Sequence, residues 1–166
     1  WGSRAWFVRS VLAARIVADN SEMPGKFFSS PLLRGKVRVI HHGISTDQFR
    51  PVEAPGDTWR TQLGIAQGEK IVACVAHLVP VKGHPTLLQA FAQLSSEAPA
   101  HLWLAGKAMD SDYAHRLQSQ VDELGLAERV HFLGAIHDIP ALLAETDIFC
   151  LPTWARWRME GCPVAM

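Results

Sequence analysis

Short apolar runs recur along the 166-residue chain, separated by stretches whose apolar positions return every three or four residues. The runs are Ile16 to Ala18, Val37 to Ile40, Ile71 to Ala76, His101 to Ala105, Val130 to Leu133 and Ile148 to Leu151. Ile71-Val72-Ala73-Cys74-Val75-Ala76 is apolar throughout rather than alternating, the pattern of a strand covered on both faces. After His84-Pro85, Leu87, Leu88, Phe91 and Leu94 share one helical face; Tyr113, Leu117, Val121 and Leu124 share another between about Ser111 and Leu124, stopped by Gly125. Asp138 is placed to cap a third helix through Ile139, Pro140, Leu142 and Leu143. Asp57 to Leu63, closed by Gly64, reads as a short surface helix. Strands alternating with helices predict βαβ units, hence an α/β fold with an interior parallel sheet and helices on both faces.

Two regions stand outside this rhythm. An arginine-punctuated apolar helix before about Asp19 has no strand ahead of it, and we assign residues 1–35 to a residual helix and strand from a preceding part of the protein, and residues 36–166 to the α/β domain. Pro51 to Gly56 lacks an apolar period and suits a surface connection. The chain starts at Trp1 with no charged segment ahead of an apolar one, so a signal peptide is not supported and the start reads as a cut inside a longer protein.

Lys plus Arg and Asp plus Glu each total 16, giving zero formal charge, so no global field draws nucleic acid or anionic lipid. Anion recognition has to be local. Cys74, Cys150 and Cys162 lie far apart without metal-ligand spacing, and two of them sit in apolar strand runs, which fits a reducing, cytoplasmic setting. Arg4, Arg9 and Arg15 interrupt the most apolar stretch, leaving no run near the roughly 20 residues a membrane span requires.

The segment that carries chemistry follows the run Ile71 to Ala76: His77-Leu78-Val79-Pro80-Val81-Lys82-Gly83-His84, then a helix. In an open parallel sheet, ligands collect beyond the carboxyl ends of the strands, where a following helix directs unpaired N–H groups and the positive end of its dipole. Lys82 adds a full charge there, and Gly83, without a Cβ, lets backbone approach a bulky oxyanion. A phosphate or diphosphate fits this arrangement; a βα turn with a solvated lysine is the plainer reading. Other strand ends are also small or polar: Gly106-Lys107, Gly134-Ala135-Ile136-His137 and Pro152-Thr153. Glu160-Gly161-Cys162-Pro163 follows, where a carboxylate and successive amides suit a polyhydroxylated ligand. No G-x-x-x-x-G-K-[ST] or G-x-G-x-x-G is present, so a P-loop NTPase or a standard dinucleotide fingerprint is not supported. Adjacent side chains of His41-His42 point to opposite faces of an extended segment, so they cannot easily chelate one ion. Trp154, Arg156, Trp157 and Arg158 form a basic aromatic cluster suited to a membrane surface, an acidic partner, stacked bases or an absent domain.

Taken together, these segments resemble the nucleotide-sugar-binding half of retaining glycosyltransferases of family four, which have two Rossmann-like domains in the GT-B arrangement. Val37-Arg38-Val39-Ile40-His41-His42-Gly43-Ile44 with Asp47, Phe49 and Pro51 is similar to the family's linker into its donor domain. Four further blocks follow in order: Leu78 to Gly83, Leu102 to Gly106, Val130 to Gly134 and Asp147 to Pro152. The resemblance implies a Rossmann-like donor domain incomplete at its C-terminus, a UDP- or GDP-hexose donor, and a polysaccharide or glycolipid acceptor. It implies that Lys82 pairs with the donor diphosphate beside His77, Gly83 and Gly106, that backbone near Ile136 meets the nucleobase, and that Glu160 accepts sugar hydroxyls near the Gly161 and Cys162 amides. Lys82 and Glu160 would then be the catalytic residues. Departing diphosphate would help deprotonate the acceptor, the anomeric configuration would be kept, and no metal or cofactor would be needed. The enzyme would be cytoplasmic, bind no nucleic acid, and touch the inner membrane face peripherally through the missing N-terminal domain.

Three departures accompany the resemblance. Ala76-His77 stands where the family commonly has Gly-Arg, the link from Pro152 to Glu160 is longer than usual, and a second family glutamate would fall just beyond Met166. The fragment alone is therefore expected to lack turnover. A non-catalytic nucleotide-binding or assembly module using Trp154 and Trp157 is the alternative, favoured by His77. A GT-B-like epimerase would need acid and base carboxylates that are not identifiable here.

Overall fold

The computed structural model describes residues 4–19, 30–51, 58–94 and 99–154. The chain divides into two compact units, one running to Ile44 and the other beginning at Ser45.

In the first unit, helix α1 (Arg4–Leu12) leads to strand β1 (Ile16–Ala18), and a short helix α2 (Pro31–Arg34) leads to β2 (Val37–Val39). The strands pair in parallel, Ile16 beside Val37 through Ala18 beside Val39, as a two-stranded sheet. Lys36 fastens the end of α1, its Nζ donating to the Val11 carbonyl at 2.5 Å and the Ala13 carbonyl at 3.0 Å. A cation there also complements the negative end of the helix dipole. Neither α2 nor the separate pairing of these two strands is visible in the periodicity.

The second unit contains α3 (Thr58–Leu63), β3 (Lys70–Val75), a 3₁₀ turn (Pro80–Lys82), α4 (His84–Ala92), β4 (Ala100–Ala105), α5 (Ser111–Glu123), β5 (Val130–Gly134), α6 (Ile139–Ala144) and β6 (Ile148–Phe149). The four strands form one parallel sheet in the order β5-β4-β3-β6. Their continuous apolar character follows from cover on both faces. Cys74, Leu102, Leu104 and Val130 pack with Leu87, Leu88 and Phe91 of α4 and Leu117 and Val121 of α5. The intervening residues Ile71, Ala73, Trp103 and Ala105 turn to the other face, against Leu142 of α6, Ile65 and Trp59. Leu88, Leu102, Trp103, Leu117 and Leu142 are fully buried, each side chain of this kind contributing on the order of 1.5 to 3 kcal/mol.

Polar groups close the helix ends. Asp110 caps α5 by accepting from the Asp112 and Tyr113 amides, and Asp138 caps α6 by accepting from Ala141 N at 3.0 Å. Gly125 follows α5 with φ 67°. The N-terminus of α3 is capped from a distance: the buried Glu145 carboxylate accepts from Trp59 N at 3.1 Å and Arg60 N at 3.0 Å. Asp147 holds the amino edge of the sheet, accepting from Ile71 N at 2.8 Å, Lys70 Nζ at 2.7 Å and Arg60 at 3.3 Å.

β6 ends at Phe149, two residues short of the apolar run to Leu151. Cys150 N still donates to the Ala73 carbonyl at 2.8 Å, and beyond it Trp154 N bonds the Val81 carbonyl at 2.9 Å, so the chain leaves the ladder to cross the loop after β3.

Candidate functional site

The strand order creates a crevice. From β3 the chain passes through α4 to β4 on one side, whereas β6 joins β3 on the other. The reversal lies between β3 and β6, and in open α/β sheets ligands bind beyond the carboxyl ends of the strands at such a switch point.

The loop after β3 is built for close approach. Pro80 opens the 3₁₀ turn, and Gly83, at φ 73°, both ends that turn and starts α4. Its amide donates to the Pro80 carbonyl at 3.2 Å, and its carbonyl accepts from Thr86 N at 3.0 Å. A Cβ at Gly83 would overlap the carbonyl oxygen of Pro152, three residues past the end of β6. The loop therefore seats against the neighbouring strand end with no room for a side chain. Trp154 completes the seam, its indole Nε1 donating to Thr86 Oγ1 at 3.1 Å. An apolar recess of about 350 Å³ opens beside it, lined by Val79, Pro80, Val81 and Trp154.

Lys82 is half-buried at the end of the 3₁₀ turn. Its charge acts on two groups beneath it. Burial, aided by neighbouring Cys150, pushes the Cys74 thiol up to about 12 against the opposing pull of Lys82. Burial lowers His84 to about 4; the Val79 backbone opposes it without reaching hydrogen-bond geometry, and the charge of Lys82 adds a smaller push downward. Neither thiolate nor imidazolium forms there at neutral pH. Lys82 thus follows the carboxyl end of β3 and directly precedes Gly83 and α4, whose dipole has its positive end there.

Other strand ends are locked alongside. A Cβ at Gly106 would overlap the Ala76 carbonyl oxygen, and Gly106 N donates to the Gly134 carbonyl at 2.7 Å. His77 is exposed at this edge, and Ile136 is half-buried against the cluster beneath α6. Lys82, Gly83, His77, Gly106 and Ile136 all follow carboxyl ends of the sheet. Glu160, Gly161 and Cys162 lie outside the described residues, as do Arg156, Trp157 and Arg158.

Two participants escaped the sequence reading. Trp154 was placed in a basic cluster, but its bonds to Val81 and Thr86 make it the seam of the crevice. His84 opens α4 as expected, yet it is fully buried with neither ring nitrogen hydrogen-bonded. A histidine one turn before Leu87 and Leu88 was the available signal. Among the described residues, no group of three or more His, Cys, Asp or Glu could hold a metal ion, and no helix is long and apolar enough to cross a membrane.

Known proteins share this architecture. The chain superimposes with a TM-score of 0.80 and 28% identity on Anabaena Alr3699/HepE, solved in complex with UDP and glucose, covering 90% of this chain and 40% of that one. It is 32% identical over 127 residues to a D-inositol 3-phosphate glycosyltransferase of Mycobacterium ulcerans, covering 73% of this chain and 26% of that protein. It is also 32% identical over 125 residues to a GDP-mannose-dependent alpha-(1-6)-phosphatidylinositol monomannoside mannosyltransferase of Mycolicibacterium smegmatis, covering 74% of this chain and 31% of the relative. The chain thus spans between a quarter and a third of these curated relatives. The family described as glycosyl transferases group 1 matches residues 56–166, the same segment that carries the four-stranded sheet and its crevice, and the chain belongs to that family.

Proposed function

We propose that the chain is the nucleotide-sugar-binding part of a retaining glycosyltransferase of family four that takes a UDP- or GDP-hexose and passes the sugar to a polysaccharide or glycolipid acceptor. The observation that supports this reading is the seating of Gly83 on Pro152 at the switch point between β3 and β6, with Lys82 just before that glycine and α4 just after it. A departing nucleoside diphosphate gains negative charge as the glycosidic bond to it breaks. Lys82 and the positive end of the α4 dipole stabilise that developing charge, which is the chain's main contribution to rate; they act without the first-turn amides, since Pro85 has no N–H and Thr86 N and Leu87 N bond the Gly83 carbonyl. Backbone near Ile136 meets the nucleobase. Glu160 accepts donor hydroxyls beside the Gly161 and Cys162 amides, and His77 and Gly106 border the diphosphate.

The leaving diphosphate takes the acceptor's proton, the sugar keeps its anomeric configuration, and this mechanism calls for no metal. The whole protein works in the cytoplasm, against the inner membrane face. The 166 residues alone are expected to bind donor without turning it over, since the matched segment covers 26% of the Mycobacterium ulcerans relative. Detectable sugar transfer by this chain alone would contradict that.

Calorimetric titration with UDP and with GDP tests the reading. Lys82→Ala is expected to weaken binding by about 1.5 to 3 kcal/mol, the scale of a charged hydrogen bond. Unchanged affinity would remove the basis of the proposal. His77, exposed where the family commonly has arginine, favours one competing reading, a non-catalytic binding module. Donor binding without turnover in the whole protein would select it.

A further inference from the structure

The pairing of β3 with β4 does not stop where the strands end. Ala76 N donates to the Ala105 carbonyl at 2.9 Å, Leu78 N donates to the Lys107 carbonyl at 3.0 Å, and Leu78 forms an isolated parallel bridge with Ala108. One residue back in that register, His77 stands beside Lys107, and neighbours in a parallel ladder project to the same side. The close approach of Gly106 to the Ala76 carbonyl holds the backbone that carries Lys107 in place.

Both side chains are exposed, and among the described residues neither enters a hydrogen bond or ion pair. Asp110, three residues on, is occupied at the α5 cap. The Lys107 ammonium and a ring N–H of His77 are both hydrogen-bond donors, so an anion lying above the two strand ends can accept from both. A nucleoside diphosphate carries its charge on two phosphoryl groups, which is more than the single ammonium of Lys82 can neutralise.

We propose that Lys107 is a second diphosphate-binding cation of this site, held in strand register with His77 and acting beside Lys82. The inference rests on the glycosyltransferase reading above and adds to it the residue that compensates for histidine at position 77. It also predicts that recognition is distributed over two strand ends, those of β3 and β4.

The test is titration of the 166-residue chain with UDP and UMP, comparing the parent with Lys107→Ala, Lys107→Arg and Lys82→Ala. Lys107→Ala is expected to weaken UDP binding about three- to fivefold, the range for an exposed ion pair, and UMP binding by less. Lys107→Arg should restore UDP affinity, and the thermal midpoint should not move, because the side chain is exposed. Undiminished UDP affinity in Lys107→Ala, with a loss of about tenfold or more in Lys82→Ala, overturns the role of Lys107 and leaves the functional reading intact. Equal losses for UDP and UMP also overturn it, because the second phosphoryl group would then not be what Lys107 meets. Failure of the parent chain to bind UDP or GDP, or indifference to both substitutions, overturns both.

Discussion

Gly83→Ala separates the two demands this position makes on its residue. Its φ of 73° lies in the left-handed region, where an L side chain costs about 1 to 2 kcal/mol. The added methyl also overlaps the Pro152 carbonyl, a backbone atom that moves only if the end of β6 moves. Displacing a packed segment costs a further 1 to 3 kcal/mol or so, for a total of roughly 2 to 5 kcal/mol. Gly125→Ala is the control: its φ is 67°, and nothing lies within 4 Å of the Cβ it would acquire. It pays the conformational part alone. Urea unfolding at constant m gives the two losses from the shift in midpoint, and the excess in Gly83→Ala measures the contact with Pro152. The same variant should lose UDP affinity while Gly125→Ala keeps it, since only the first displaces the segment bearing Lys82. Equal destabilisation by the two substitutions would show that the loop does not seat on β6, and the crevice argued above would have no wall.

The remaining predictions concern the groups around this frame. His84 titrates near 4 rather than 6.5, so on acidification the unfolded chain takes up the proton first. Stability from this residue is complete above about pH 6.5 and is lost progressively towards pH 4, by at most about 3 kcal/mol; urea titrations at pH 7 and 4.5 should show Gly-free helix α4 carrying His84→Phe with a flatter dependence, and parallel curves would refute the assignment. For Asp147, burial favours the protonated form, but Lys70, the Ile71 amide and Arg60 outweigh it and hold the carboxyl below its ordinary 3.8. Its contribution is present above that value and lost below it, so Asp147→Ala should cost about 1 kcal/mol at pH 7, discounted for partial exposure, and the deficit should shrink at pH 3. Glu145→Ala uncaps α3 and should cost about 1 to 2 kcal/mol in the same assay; no loss would show that solvent replaces the carboxylate.

What was readable in the chain follows the range of the interaction responsible. β3, β4 and β5 are announced by apolar runs because both faces of each strand are covered, so residues on either face are buried or partly buried. The caps at Asp110 and Asp138 and the stops at Gly64 and Gly125 act within three or four residues, and Asp138, Gly64 and Gly125 were legible for that reason. The Glu145 cap on α3 spans 86 residues, and no local pattern encodes it. β6 shows the same limit: Cys150 and Leu151 are as apolar as a strand requires, yet the ladder ends at Phe149 because Pro152 and Trp154 are drawn to the loop after β3. The candidate site divides along the same line. Lys82-Gly83 was legible because a glycine before a proline-opened helix marks a tight βα turn in sequence. That Gly83 needs its missing Cβ against Pro152, and that Lys107 comes into register with His77, depends on which strands are neighbours. The order β5-β4-β3-β6 supplies those neighbours, and so topology, acting on residues already present, turns a turn motif into a crevice with two cationic strand ends.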